Sequence, residues 1–242
     1  GLGALGSEVG KSLAKNAVGH FSLFDNDRFE IGNLVRHAAD LFFLGEGKSE
    51  VLRQLIQRAN PNITVESFNH DIMDDTGILE RQLNKSDLCI VLTGEDSVDY
   101  MMNDQYIPRF DIPFVFARVS PGAASGSIQI VDKESPCLRC LSLKGKDTLP
   151  KPNGKVAEEE LEIELGSCSR PAVPGSEVDT KEVALQVTRI SLQLLLGNNR
   201  INYPPLQGKQ FYWNGPYGSA KKEPYSWSIH NFKRTKDCSV CG

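Results

Sequence analysis

Short apolar runs alternate with amphipathic stretches from Ser7 to Arg118, a Gly-x-Gly-x-x-Gly run opens the chain, and an aromatic-rich stretch, Gln210–Phe232, lies near its end. Together these predict a doubly wound, mostly parallel α/β sheet with an antiparallel C-terminal extension. A length of 242 residues, 40% of them hydrophobic, can enclose a sizeable core.

The elements follow in order. Val9, Leu13 and Val18 are spaced for one face of a helix over Ser7–Ala17, and His20–Phe24 reads as a short strand ending at Asp25. Val51, Leu52, Leu55 and Ile56 mark a second amphipathic helix over 48–59, stopped by Asn60-Pro61 before a strand at Ile63–Phe68. A helix at Ile78–Leu83, a strand at Leu88–Leu92, a helix at Val98–Tyr106 and a strand at Pro113–Arg118 continue the alternation. Ser127–Val131 is a further strand. Lys144–Gly166 is a polar crossover carrying Glu158, Glu159, Glu160, Glu162 and Glu164, an acidic run that reads as a solvated loop. Residues 180–196 form a strongly apolar helix, and Gln210–Phe232 supplies antiparallel strands at one edge. There is no internal repeat.

A net charge of -4 gives no global reason to expect a nucleic-acid partner. No apolar run approaches the ~20 residues that span a bilayer, and no signal peptide opens the chain, so a cytoplasmic protein without a membrane partner is expected. Six cysteines are too few for a disulfide scaffold in a chain of this length. Four of them form two Cys-x-x-Cys pairs, which suits a metal in a reducing compartment.

Gly1, Gly3 and Gly6 make the glycine run, which normally follows a buried strand and opens a helix. That strand precedes residue 1, so upstream residues are expected. Asp25 lies 19 positions beyond Gly6, near the ~20-residue offset at which a carboxylate meets a ribose. Glycines let backbone approach a phosphate at a helix N-terminus while the carboxylate accepts sugar hydroxyls. This is a Rossmann-like nucleotide site that any adenosine-bearing ligand satisfies. The stretch Asp25–His37, with Lys48 beyond it, separates the candidates. Hydride transfer needs no such basic cluster. Attack of a carboxylate on the α-phosphate of ATP does, because both reactants are anionic and fixed cations must offset the repulsion. Arg36 and Lys48 are the cations available.

Gly1-Leu2-Gly3-Ala4-Leu5-Gly6, Asp25-Asn26-Asp27, Gly32-Asn33-Leu34-Val35-Arg36 and Gly45-Glu46-Gly47-Lys48, followed by two Cys-x-x-Cys pairs, resemble the ThiF/MoeB/HesA-like ubiquitin-activating family across the whole chain. The resemblance implies a single adenylation domain over 1–242, with a nucleotide-binding half at 1–143, a crossover loop at 144–180 and a C-terminal part at 181–242. It implies that Asp25 holds the ribose, that Asn33, Arg36 and Lys48 engage the phosphates, and that an acidic position after the fourth strand binds Mg²⁺. There the family has Thr-Asp-Asn and this chain has Thr93-Gly94-Glu95-Asp96. Asp96 is the first choice and Glu95 the second, with a helix N-cap as the alternative role. His37 stands where many relatives have Gln and reads as a polar contact.

Cys137-x-x-Cys140 and Cys238-x-x-Cys241 can bring four thiolates to one tetrahedral ion, a closed structural site typical of Zn²⁺. Cys89, inside an apolar strand, is a core residue. Cys168 carries two readings, structural or nucleophilic, and the resemblance implies that it attacks the acyl-adenylate to give a thioester, Arg170 favouring the thiolate. The implied partners are a ubiquitin-like or sulfur-carrier protein, a fused or separate ubiquitin-conjugating-like domain, and a second subunit of a homodimer. The alternatives are a tRNA-modifying dehydratase of the same family, an NAD-dependent oxidoreductase and a non-catalytic binding subunit.

Overall fold

The computed structural model describes residues 1–146, 149–151, 177–197, 204–219 and 222–242. The chain order is α1 (Ala4–Lys15), β1 (His20–Phe24), α2 (Lys48–Ala59), β2 (Thr64–Phe68), α3 (Thr76–Leu83), β3 (Cys89–Val91), α4 (Asp96–Met101), β4 (Phe114–Val119), β5 (Ser125–Val131), α5 (Leu138–Leu143), α6 (Glu177–Leu196), β6 (Gln210–Asn214) and β7 (Ser226–His230). These elements divide between two compact units. No described helix is long and apolar enough to cross a membrane.

The first unit contains Gly1–Gln82, and its strands β1 and β2 pair in parallel, Phe24 opposite Phe68. Leu5, Val9 and Leu13 of α1 recur at four-residue spacing and are buried, the apolar stripe expected of a helix that packs on one face. Gly10 lies on that stripe, where a Cβ would stand 2.8 Å from Leu52 Cδ2 of α2. The absent side chain is what lets the two helices approach. Between β1 and α2 the chain makes two single 3₁₀ turns, Ile31–Asn33 and Leu41–Phe43. They fold over a small core of Phe29, Ala39, Phe43 and Val51, flanked by Leu34 and Leu55.

The second unit holds the sheet β3-β4-β5-β6-β7. Here β3 pairs with β4 in parallel, and the pairings of β6 and β7 are antiparallel as expected of the C-terminal extension, but the expectation of a mostly parallel sheet is corrected at β5, which is antiparallel to β4. The reason is loop length. A parallel connection needs a crossover of a dozen or more residues, and β4 ends at Val119 while β5 begins at Ser125. The turn between them runs through Pro121-Gly122, with Gly122 at φ +69°, a conformation glycine adopts without a Cβ penalty.

One face of this sheet is apolar, with Val115, Ala117, Ile128, Ile130, Phe211 and Trp213 buried. The other face is also buried, and beside Phe114, Phe116 and Val131 it carries a polar stretch. Ser125, Ser127 and Gln129 of β5 stand opposite Asn214, Tyr212 and Gln210 of β6, and all six are nearly inaccessible. The helix expected over Val98–Tyr106 starts earlier, at Asp96, and from Met102 to Tyr106 it widens to a π-helical turn. The short helix α5 was not foreseen.

Candidate nucleotide edge and four-thiolate cluster

At the C-terminal end of β1, Asp25 holds the glycine run in place. Its Oδ2 accepts the Leu2 N–H at 2.5 Å and its Oδ1 the Asp27 N–H at 2.9 Å. The Gly1 nitrogen donates to Phe24 O at 3.1 Å. The loop is tight at Gly6, where a Cβ would come within 2.1 Å of the Gly1 carbonyl oxygen, whereas a Cβ on Gly3 would meet nothing within 4 Å. Steric need therefore falls on Gly6, and Gly3 stands where a ligand has room.

His37 supports the loop from below. The Ala39 N–H donates to Nδ1 at 3.0 Å, so that nitrogen carries no proton and Nε2–H donates to Leu2 O at 3.0 Å. Burial, reinforced by the nearby Lys48 charge, lowers its pKa to about 4, so the ring is neutral at physiological pH. The polar-contact role expected for His37 is the one observed.

Asn33 uses its side-chain oxygen to accept the Glu30 N–H at 2.9 Å, closing its own turn. Arg36 follows on that turn, half-buried, its N–H on Asn33 O at 3.0 Å. Lys48 opens α2. Its backbone N–H donates to Asp27 O at 2.9 Å and its Nζ lies 2.6 Å from Asp27 Oδ2. The Lys48 side chain is only 10% exposed while that of Asp27 is 65% exposed. The two aspartates of Asp25-Asn26-Asp27 thus have separate tasks: one fixes the glycine loop, the other holds the lysine. Sequence reading assigned nothing to Asp27, although its place in the motif marked it.

Asp96 belongs to the second unit. Arg118 of β4 spans two carboxylates, with Nη1 2.6 Å from Asp96 Oδ1 and Nη2 on Asp99 Oδ2. Thr93 Oγ1 donates to Asp99 Oδ1 at 3.1 Å and accepts the Glu95 N–H at 3.3 Å. Burial raises the Asp99 pKa, opposed by Arg118. The first-choice metal carboxylate is thus one arm of an ion triad whose other members, Asp99 and Arg118, were not foreseen. Cys168 and the acidic run at 158–164 lie outside the described residues.

The four paired cysteines do converge. Cys137 Sγ is 3.5 Å from Cys238 Sγ and Cys140 Sγ 3.4 Å from Cys241 Sγ, and all four sulfurs lie within 4.8 Å of one another. A tetrahedron with metal–sulfur bonds of ~2.3 Å has edges of about 3.8 Å, so the cluster can close around one ion. Cys137 precedes α5, whose first N–H, on Leu138, donates to the buried Asn103 Oδ1 at 2.7 Å. Arg139, inside the first pair, reaches Asp104 with Nη2 at 2.7 Å and Nε at 3.1 Å and lies 4.1 Å from the Tyr100 ring centroid. Cys89 on β3 is no part of the cluster, and desolvation pushes its thiol up to about 12, which suits a packing residue.

The chain is 27% identical, over 98% of its length, to an uncharacterized protein, y4qC, of Sinorhizobium fredii, covering 42% of that protein. It is 23% identical, over 94% of its length, to the ATP-dependent ubiquitin transferase-like protein Cap2 of Enterobacter hormaechei, covering 36% of it. The chain thus spans less than half of either relative. Among solved structures, E. coli MccB with ATP superposes with a TM-score of 0.70 at 20% identity, covering all of this chain and 64% of MccB, a likeness of fold. The ThiF family matches residues 1–214. The chain therefore belongs to the ThiF family.

Proposed function

We propose that this chain is the catalytic core of an adenylyltransferase that activates the C-terminal carboxylate of a ubiquitin-like protein with ATP. The observation that carries the reading is Lys48, nearly buried at the start of α2 and held by Asp27 in the unit that also contains the glycine loop and Asp25. A nicotinamide site has no use for a fixed cation there. A triphosphate does. The relatives' names, with ATP and ubiquitin transfer in one of them, support the same choice.

In this reading the remaining lone pairs of Asp25 accept the ribose hydroxyls, and the N–H groups opening α1 face the phosphates. A carboxylate oxygen of the substrate attacks the α-phosphorus. The bond from that phosphorus to the bridging oxygen breaks, and pyrophosphate leaves with the electron pair. Arg36 and Lys48 offset the charge that develops. Asp96, or else Glu95, would hold Mg²⁺, which would supply further charge neutralisation. The Cys168 thiolate then attacks the acyl carbon and expels AMP, leaving a thioester. Cys137, Cys140, Cys238 and Cys241 would hold Zn²⁺, which would serve as a structural ion. The substrate is a ubiquitin-like or sulfur-carrier protein, and a homodimer and a ubiquitin-conjugating-like domain belong to the same proposal.

Exchange of labelled pyrophosphate into ATP tests the assignment. Arg36→Ala and Lys48→Ala should each lower exchange by roughly 10²–10³-fold, the usual cost of removing one charge-stabilising donor. Cys168→Ala should leave exchange intact and abolish a thiol-labile conjugate. Exchange that survives Arg36→Ala unaltered sinks the site assignment.

A further inference from the structure

The two cysteine pairs are almost a hundred residues apart in sequence, Cys140 preceding Cys238 by 98 positions, so something must bring them to ligand distance. The Arg234 side chain touches both segments. Arg234 donates from Nε to Ser135 O at 3.0 Å, from Nη2 to Asp132 O at 3.2 Å and also to Lys133 O, and from Nη1 to Cys241 O at 3.3 Å. Three of these carbonyls lie just before Cys137, and the fourth belongs to a ligand of the other pair. The next residue reaches a ligand of the first pair, its Thr235 N–H donating to Cys140 Sγ at 3.2 Å.

Each of the turns that Arg234 joins also carries hydrogen bonds of its own. On one side Asp132 Oδ1 accepts the Glu134 and Ser135 N–H groups at 3.0 and 2.9 Å, Ser135 Oγ accepts the Asp132 N–H at 2.7 Å, and Lys209 pairs with Asp132 Oδ2. This closed turn points its carbonyls one way. On the other side Gly242 N–H donates to Cys238 O at 3.0 Å. A Cβ on Gly242 would stand 2.5 Å from the carbonyl oxygens of Lys236 and Cys238, so the terminal turn is equally tight.

We propose that Arg234 is a positioning residue of the metal site: its guanidinium gathers carbonyls from both cysteine-bearing segments and holds the four thiolates within reach of one ion. The side-chain type matters. A planar guanidinium offers five N–H donors in a fixed fork and engages four carbonyls at once, whereas an ammonium is a point donor. The contacts are to neutral carbonyls and involve no sulfur from the side chain, so the clamp acts whether or not metal is bound. It contributes by having the ligands already assembled, the role that residues behind the ligands play in other metal sites.

The inference rests on the reading of the four thiolates as a zinc site, and the test separates the two. The full chain is loaded with one Zn²⁺, and metal release to a chromogenic chelator is timed at fixed pH for wild type, Arg234→Gln and Arg234→Lys. Residues that orient metal ligands change affinity by roughly 10–100-fold. Arg234 faces solvent on its outer side, so release from Arg234→Gln should be about tenfold faster, with Arg234→Lys at least threefold faster. Ile128→Val, in the apolar core of the same unit, controls for general loosening. Release from Arg234→Gln within twofold of wild type overturns the proposal. So does equal release from Ile128→Val compared at the same margin below its thermal midpoint. If Arg234→Gln does not fold, Arg234→Lys decides on the same terms. Zinc bound by wild type with no effect of Arg234 removes the clamp alone, and a wild type that retains no zinc removes the site and the clamp together.

Discussion

His37 shows how much of this chain's chemistry rests on one proton. Its ring stands between the glycine loop and the turn after Asn33, with Nδ1 as acceptor and Nε2 as donor. A second proton would remove the acceptor and place a charge beside Lys48. Because its pKa is lowered from 6.5 to about 4, the unfolded chain binds more protons between those values. The stabilisation is therefore complete above pH 6.5 and is lost as pH falls toward 4. Wild type should lose about 2 kcal/mol more than His37→Gln between pH 7.5 and 5, measured by denaturant unfolding at both values. An identical loss in both proteins would show that His37 is not buried neutral. Asp27 has the complementary position: it is exposed, but the lysine it holds is not, so its influence passes through Lys48.

Strand β5 carries the same tension between burial and polarity along its whole length. Alternate residues Ile128 and Ile130 enter the apolar core, while Ser125 and Gln129 face the other way, buried, with Ser125 Oγ and both amide atoms of Gln129 unpartnered. A buried amide without partners costs roughly 1–3 kcal/mol, so Gln129→Met should raise stability by about 1 kcal/mol, read from the thermal or urea midpoint. A loss of that size would mean that the amide is paired in the folded protein.

What the sequence showed and what it hid differ by physical cause. The bounds of α2, Lys48–Ala59, coincide with those expected because an apolar stripe and Asn60-Pro61 define them locally. Strand β1 was equally legible, and the convergence of the four cysteines followed from spacing. The direction of β5 was not, since an apolar run looks alike in parallel and antiparallel sheets and only the short turn after Val119 distinguishes them. The Arg118 triad and the Arg234 clamp stayed hidden for another reason. Each joins residues far apart in sequence, Arg118 to Asp96 across 22 positions and Arg234 to Asp132 across 102, and no local pattern announces such a pair.

At the scale of the whole molecule the parts have distinct owners. The glycine loop, Asp25, Arg36 and Lys48 belong to the first unit, and Asp96, Arg118 and the four thiolates to the second. The chain spans less than half of the length of y4qC and of Cap2. Activation of a carboxylate is a question for this chain. The direct measurement is exchange of labelled pyrophosphate into ATP in the presence of a ubiquitin-like protein, supplied once with its free C-terminal carboxylate and once as the C-terminal amide. The account predicts exchange with the free carboxylate and none with the amide. Exchange indifferent to that carboxylate, or tryptophan quenching by NADH in a chain that ignores ATP, would contradict it.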